Sequence, residues 1–249
     1  MTRRRWIADQ VSGERAILLG RNAEHLARSL RVRVGQEFEV STGESVRLGR
    51  VVHVADNRVE FELGDQVPQK EVTRLTLLLA VFKFDRMEWA IEKATELGVA
   101  AILPVLARRT ETHLASAAAK RVERWRRIVH EAAQQSRRIA PPEVVTPQPL
   151  KGALTLPAEL RIMLAETEAG LSLRQALDQD SLPKAASTTG GGPLTVALAV
   201  GPEGGWAADE LASFKAAGWA SASLGRTILR AETAAIAALA ITLSEINHQ

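Results

Sequence analysis

Cysteine and tyrosine are both absent from the 249 residues, and aromatic side chains make up only 4% of them. Without a thiol there is no disulfide, thiolate metal site, iron–sulfur cluster or cysteine nucleophile, which fits a cytoplasmic protein. So few rings argue against a binding surface built on base stacking. Long apolar runs are missing too. The longest, 234–243, is half a membrane span, and the basic start MTRRRW leads to Asp9 and Glu14 rather than to the apolar stretch of a secretory signal. His25, His53, His113, His130 and His248 stand at no metal-binding spacing, so no metal is expected. What is present is 46% hydrophobic and 24% charged residues, enough for one large or two modest domains.

The charge is unevenly spread. Residues 1–150 hold 25 Lys and Arg against 19 Asp and Glu, while residues 151–249 hold 7 against 10, so the net charge of +3 hides a basic upstream part. Arginine supplies 25 of the 32 cations, a bias toward the planar fork that grips phosphate with two hydrogen bonds, although a drift in overall composition produces the same bias.

Short strands with turns fill residues 1–72: 15–19, 37–41, 46–54 and 58–63, broken at Gly35, Gly43 and Asp56-Asn57. One helix, capped by Asn22, carries His25, Leu26 and Leu30. A small barrel with one helix hides the strand edges most economically. From residue 73 the pattern becomes alternating strands and helices, an α/β domain with a mostly parallel sheet. Leu75–Phe82 suits a strand buried on both faces. In the following helix Asp85 and Glu88 read as a capping box, and Met87, Ala90, Ile91, Ala94 and Leu97 form one stripe ending at Gly98. A second amphipathic helix, 120–136, turns Val122, Trp125, Val129 and Ala132 inward, and Glu123 and Glu131 stand four residues from Arg127 in an ordinary salt-bridge pattern. Strands 101–106, 161–165, 194–200 and 220–224, helix 207–217, a Gly/Ser/Pro-rich stretch at 181–193 and a last helix from Glu232 to Asn247 complete the pattern.

Two loops stand where a strand ends and a helix begins, the place where parallel sheets bind ligands. Gly201-Pro202-Glu203-Gly204-Gly205 lets the main chain approach a ligand closely, but it is neither a P-loop nor G-x-G-x-x-G, and on the glycines alone a tight turn without a ligand is the better account. Leu224–Thr233 sets two arginines, an acid and two threonines ahead of a helix apolar nearly all round, which must therefore be buried. Glu232 complements a helix N-terminus and Thr233 can cap it, yet Arg230 beside Glu232 in the sheet crevice favours a site.

Four segments in this order, Asp85–Gly98, Glu123–Ser136, Gly201–Gly205 and Ile228–Ala234, together with Arg4-Arg5-Trp6, His25-Leu26, Leu30-Arg31 and Gly35-Gln36, resemble the bacterial 16S ribosomal RNA (uracil-N3)-methyltransferase family over nearly the whole chain. The resemblance implies a SPOUT-type α/β domain at 73–249 with a C-terminal trefoil knot, which the usual chain-crossing rules disfavour, and a PUA-like β-barrel RNA-binding domain at 1–72. It implies an S-adenosyl-L-methionine-dependent enzyme acting as a homodimer on 16S ribosomal RNA of the small ribosomal subunit. Carried over by motif, the cofactor lies against Ala165, Glu166, Val200, Gly201, Glu203, Gly204, Gly205, Leu224, Gly225, Ile228, Leu229, Thr233 and Ala234, with backbone groups of Gly201, Leu224 and Leu229 on its adenosine end. Arg230 and Glu232 are the catalytic candidates, the first as positive potential for a uracil anion, the second as proton acceptor. RNA-contact candidates are Arg3, Arg4, Arg5, Trp6, Arg28, Arg31, Arg33, Arg86 and Arg138. The chain departs from the family pattern at Phe84, where Gly is usual, at Arg137-Arg138 for Gly-Arg, and at Thr227 for Arg. A knotted ribose 2′-O-methyltransferase and a non-catalytic RNA-binding assembly factor are the rival readings.

Overall fold

The computed structural model describes residues 5–68, 73–178 and 194–247. Arg3, Arg4, His248 and the 181–193 stretch lie outside the described residues. Contacts divide the chain into two units, Met1–Lys70 with Ala133–Pro141, and Glu71–Ala132 with Pro142–Gln249.

In the first unit the strands are β1 (Arg5–Ile7), β2 (Gln10–Ser12), β3 (Arg15–Leu19), β4 (Glu37–Ser41), β5 (Val46–Ala55) and β6 (Arg58–Gln66), in the order β1-β4-β5-β6-β3-β2. Only β1 and β4 pair in parallel. The period of two is plain in β6, where Val59, Phe61 and Leu63 are buried and Glu62 is exposed. The helix α1 (Gly20–Glu24), widening to a π turn through Ser29, starts with Leu19 as its flanking residue, so Asn22 lies inside it and does not cap it. Strands β1 and β2, three residues each, are too short to show a sequence period. Trp6, expected on an RNA-facing surface, is instead a core residue, 7% exposed and packed with Leu18, Leu26 and Val40.

Residues 133–141 close onto this unit through main-chain carbonyls: the Arg5 guanidinium donates to Arg137 O at 2.6 Å and the Ser41 hydroxyl donates to Ile139 O. Arg137 takes a φ of +59°, a left-handed conformation that a side chain disfavours and glycine adopts freely. Arg137→Gly should therefore stabilise the protein by about 0.5–1 kcal/mol, read as a higher urea midpoint with an unchanged slope.

The second unit contains β7 (Arg74–Ala80), α2 (Phe84–Leu97), β8 (Ala101–Leu106), α3 (Thr112–Ala118), α4 (Val122–Gln135), β9 (Glu143–Val144), β10 (Gln148–Pro149), α5 (Leu150–Ala153), β11 (Leu160–Leu164), α6 (Leu173–Leu177), β12 (Thr195–Val200), α7 (Ala208–Ala216), β13 (Ala220–Ala222) and α8 (Ala231–Asn247). Its sheet runs β10-β8-β7-β12-β11-β13, all parallel, with β9 beside β8. Strand β7 is buried on both faces as its unbroken apolar run requires: Leu75, Leu77 and Leu79 join one core with α2, α4 and α8, while Leu78 and Ala80 join another with Trp206, Phe214 and Trp219. This is a mixed α/β fold with helices covering both sides of the sheet.

Three local expectations fail here. Lys83, with no side-chain cap bond, flanks α2, and Asp85 sits in its first turn, because Phe84 is drawn into the helix and packs on Trp125 with Arg121 above its ring. Glu123 pairs with Arg126 at 2.7 Å, and Arg121 and Arg124 reach Glu88 of α2. Helix α8 is not buried all round. Ala240 is exposed and Ala237 and Ile241 half-buried, so an apolar strip faces outward from this chain.

Candidate active site

Strands β12, β11 and β13 lie side by side, and their carboxyl ends release three loops that converge on one cavity of about 370 Å³. From β11 come Ala165, Glu166 and Thr167, from β12 Gly201–Trp206, and from β13 Ser223–Arg230, with Ala231 and Ala234 of α8 completing the wall. Adjacent parallel strands force this convergence, and a crevice at their carboxyl ends is where such sheets hold ligands. Of the expected cofactor contacts only Thr233 is not on the wall. It is exposed in the first turn of α8, which starts at Ala231, so it does not cap that helix.

The two cavity-wall glycines with positive φ have different tasks. Gly205 (φ +68°) turns the β12 loop beneath Arg109, and Gly225 (φ +119°) turns the β13 loop where an added Cβ meets nothing within 4 Å. Gly225 is there for its backbone conformation alone. Gly201 is there for room, since a Cβ on it would press on the Trp206 indole at 3.3 Å.

Charge is concentrated at one corner. Glu232, 6% exposed, sits in the first turn of α8, where the positive helix end favours a carboxylate. Its Oε2 is buried without a hydrogen-bond partner. Its cation is not the expected Arg230, whose exposed side chain forms no ion pair among the described residues, but Arg86 of α2, with Nε at 3.8 Å from Oε1. Arg86 also donates from Nη1 to Glu203 at 2.9 Å. Expected on an RNA surface, Arg86 is thus in the cavity wall. Of the other RNA candidates, Arg5 is tied to Glu39 and Arg28 to the exposed Asp56; Arg31 and Arg33 are exposed. Arg138 is half-buried, its guanidinium pushed down to about 10 by desolvation.

The chain matches the RNA methyltransferase domain family over residues 68–243. It belongs to that family. Ribosomal RNA small subunit methyltransferase E of Mycobacterium tuberculosis is 35% identical over 236 residues, 92% of this chain and 86% of the relative, and that of Rickettsia conorii is 32% identical over 85% and 82%. The crystal structure of a ribosomal RNA small subunit methyltransferase E from Neisseria gonorrhoeae bound to S-adenosyl methionine is 27% identical, with a TM-score of 0.79 over 97% of each chain.

Two features of this RNA methyltransferase escaped the sequence. Arg109, past the end of β8, donates to Gly204 O and roofs the glycine loop. Buried Glu210 of α7 fixes the segment that carries it, accepting from Arg108 N and Ala207 N at 2.9 Å each. A carboxylate that accepts from an amide 102 residues away leaves no local trace. Among the described residues no three His, Asp or Glu side chains cluster to hold a metal.

The β11 loop has its own brace. Glu168 accepts from Gly170 N at 2.8 Å and Leu171 N at 3.3 Å, and the Gly170 N–H above all holds its carboxyl below the usual range. A depressed folded value means that the carboxylate's contribution is complete above the unfolded value, 4.5, and is lost as pH falls through the folded one. Glu168→Ala should weaken binding of a ligand in the neighbouring cavity about threefold at neutral pH, measured by calorimetry.

Proposed function

We propose that this chain transfers a methyl group from S-adenosyl-L-methionine to N3 of a uridine in 16S ribosomal RNA of the small ribosomal subunit. The observation that carries this reading is the cavity that three loops build beside Glu232. Its volume suits a ligand of that size, its glycines bring main chain within reach, and the unpartnered buried Trp206 Nε1 on its wall is a polar atom that a ligand can satisfy, while Glu232 Oε2, next to the wall residue Ala231, is left bare for the acceptor substrate. The names of the curated relatives and the methyl donor in the gonococcal neighbour support it.

Bound there, S-adenosyl-L-methionine supplies a methyl already activated on sulfonium, so no metal is required. The chain's own residues have the acceptor to manage. Uracil N3 carries a weakly acidic proton, and it gains the methyl only as that proton leaves. Glu232 would take the N3–H proton, leaving on N3 the electron pair with which it accepts the methyl. Among the described residues Glu232 is the one buried carboxylate with a bare oxygen. Arg230, exposed and without an ion pair among the described residues, is free to face O2 or O4 as negative charge develops. N3 lies on the Watson–Crick edge, so the uridine must be unpaired first.

The finer architecture belongs to the same proposal. The β13 loop passes through the chain as a trefoil knot, the six-stranded unit is a PUA-like barrel that carries RNA, and two chains pair through the outward apolar strip of α8. Arg28, Arg31, Arg33 and Arg138, with Arg3 and Arg4, are offered to phosphates, and Arg5, held by Glu39 and Arg137 O, would have to exchange those partners to join them. No helix among the described residues is long and apolar enough to cross a membrane. An enzyme acting on the small ribosomal subunit would work in the cytoplasm. Calorimetric titration of the purified protein with S-adenosyl-L-methionine, without RNA, should show saturable binding. Absence of heat would favour a non-catalytic RNA-binding factor.

A further inference from the structure

We infer that Arg86 is a positioning residue, which holds Glu232 in place as the proton acceptor by clamping it and Glu203 with one guanidinium. The inference rests on the reading of Glu232 as that acceptor. Three elements meet at this group: Arg86 projects from the first turn of α2, Glu203 from the loop after β12, and Glu232 from the start of α8. Among the described residues, Arg86 is the only cation that either carboxylate meets.

The two contacts differ in kind. Nη1 donates to Glu203 at 2.9 Å, a charge-assisted hydrogen bond that fixes the plane of the fork. Nε stands 3.8 Å from Glu232 Oε1, inside Coulombic range and beyond a hydrogen bond. Arg86 therefore balances the buried charge of Glu232 without occupying its lone pairs, while Oε2 has no partner at all. A carboxylate that is oriented and neutralised yet bare is suited to take a proton from a substrate N–H. A tighter contact would quench it. Without Arg86 two carboxylates share the corner with no counter-charge and repel, so Glu232 loses its direction. A lysine restores the charge but cannot span both acids with fixed geometry.

The test is a mutant cycle in the full-length protein, with single-turnover methylation of small ribosomal subunits as one readout and calorimetric affinity for S-adenosyl-L-methionine as the other. Arg86→Ala should slow methyl transfer at saturating donor about 30-fold, a loss larger than the fall in donor affinity that its place on the cavity wall entails, and Arg86→Lys should recover part of the rate. In a Glu232→Gln background, itself slow, Arg86→Ala should change the rate less than about twofold, because its effect passes through that carboxylate. Thermal melts check that the variants fold. Additive effects in the cycle, or an unchanged rate in Arg86→Ala, would overturn the role of Arg86. If the effect disappears instead in a Glu203→Gln background, with weakened donor binding, Arg86 is an anchor of the glycine loop and the inference is wrong. A Glu232→Gln protein as fast as wild type would remove the underlying reading instead, which separates the two failures.

Discussion

Glu232→Gln is expected to lower the single-turnover rate of methylation about 100-fold or more, with methyl-donor affinity nearly intact. The magnitude is that of a lost general base. Glutamine keeps the shape and nearly the volume of the side chain at a position only 6% exposed, so packing at the start of α8 is preserved and only the proposed proton acceptor is removed. Because Glu232 is not on the cavity wall, donor binding should scarcely change, and a rate loss that came from weaker donor binding would place Glu232 in the wrong role. Arg230→Ala should follow a different course. Its exposed side chain has no ion pair among the described residues to lose, so folding is unaffected and the rate alone drops.

Gly225→Val should weaken binding of S-adenosyl-L-methionine about 10- to 100-fold while leaving thermal stability nearly unchanged. At φ +119° a β-branched residue is strained by about 1–3 kcal/mol, and the β13 loop escapes by changing shape. Nothing lies within 4 Å of the added Cβ, so the core feels no clash and the loss is confined to the loop that walls the cavity. Equal loss in Gly225→Ala and Gly225→Val would confirm that conformation rather than bulk decides, whereas a loss only with valine would point to bulk. Calorimetry on both variants distinguishes them.

How far the sequence alone led depends on whether a signal is local. The apolar run of β7 and the stripe Met87, Ala90, Ile91, Ala94 and Leu97 of α2 were readable because burial imposes periods of two and 3.6 on neighbouring residues; the stripe is buried as read except at Leu97, half-buried at the helix end. The convergence of Gly201–Gly205 with Ser223–Arg230 was readable because loops after parallel strands must gather at one end of a sheet. The ion pairs were not. Arg230 stands two residues from Glu232 in the chain, but Arg86, 146 residues away by number, is its neighbour in space. Only the packing of α2 against α8 brings them together. Trp6 was misassigned for a related reason: three adjacent arginines suggest a surface, while the strand places the indole among Leu18, Leu26 and Val40.

Departures from the family pattern also acquire causes. Phe84 fills the space beside Trp125 and carries Arg121 on its ring, so it contributes packing that a glycine there would lack. Arg137 keeps the left-handed backbone that glycine would provide, at a cost in strain.

The central claim is the position of the methyl group. Purified protein incubated with unmodified small ribosomal subunits and isotopically labelled S-adenosyl-L-methionine, followed by digestion of the 16S RNA to nucleosides and mass spectrometry, reads it directly. Label in 3-methyluridine is the expected result; label in a 2′-O-methylated nucleoside, or none in RNA despite measured donor binding, would contradict it.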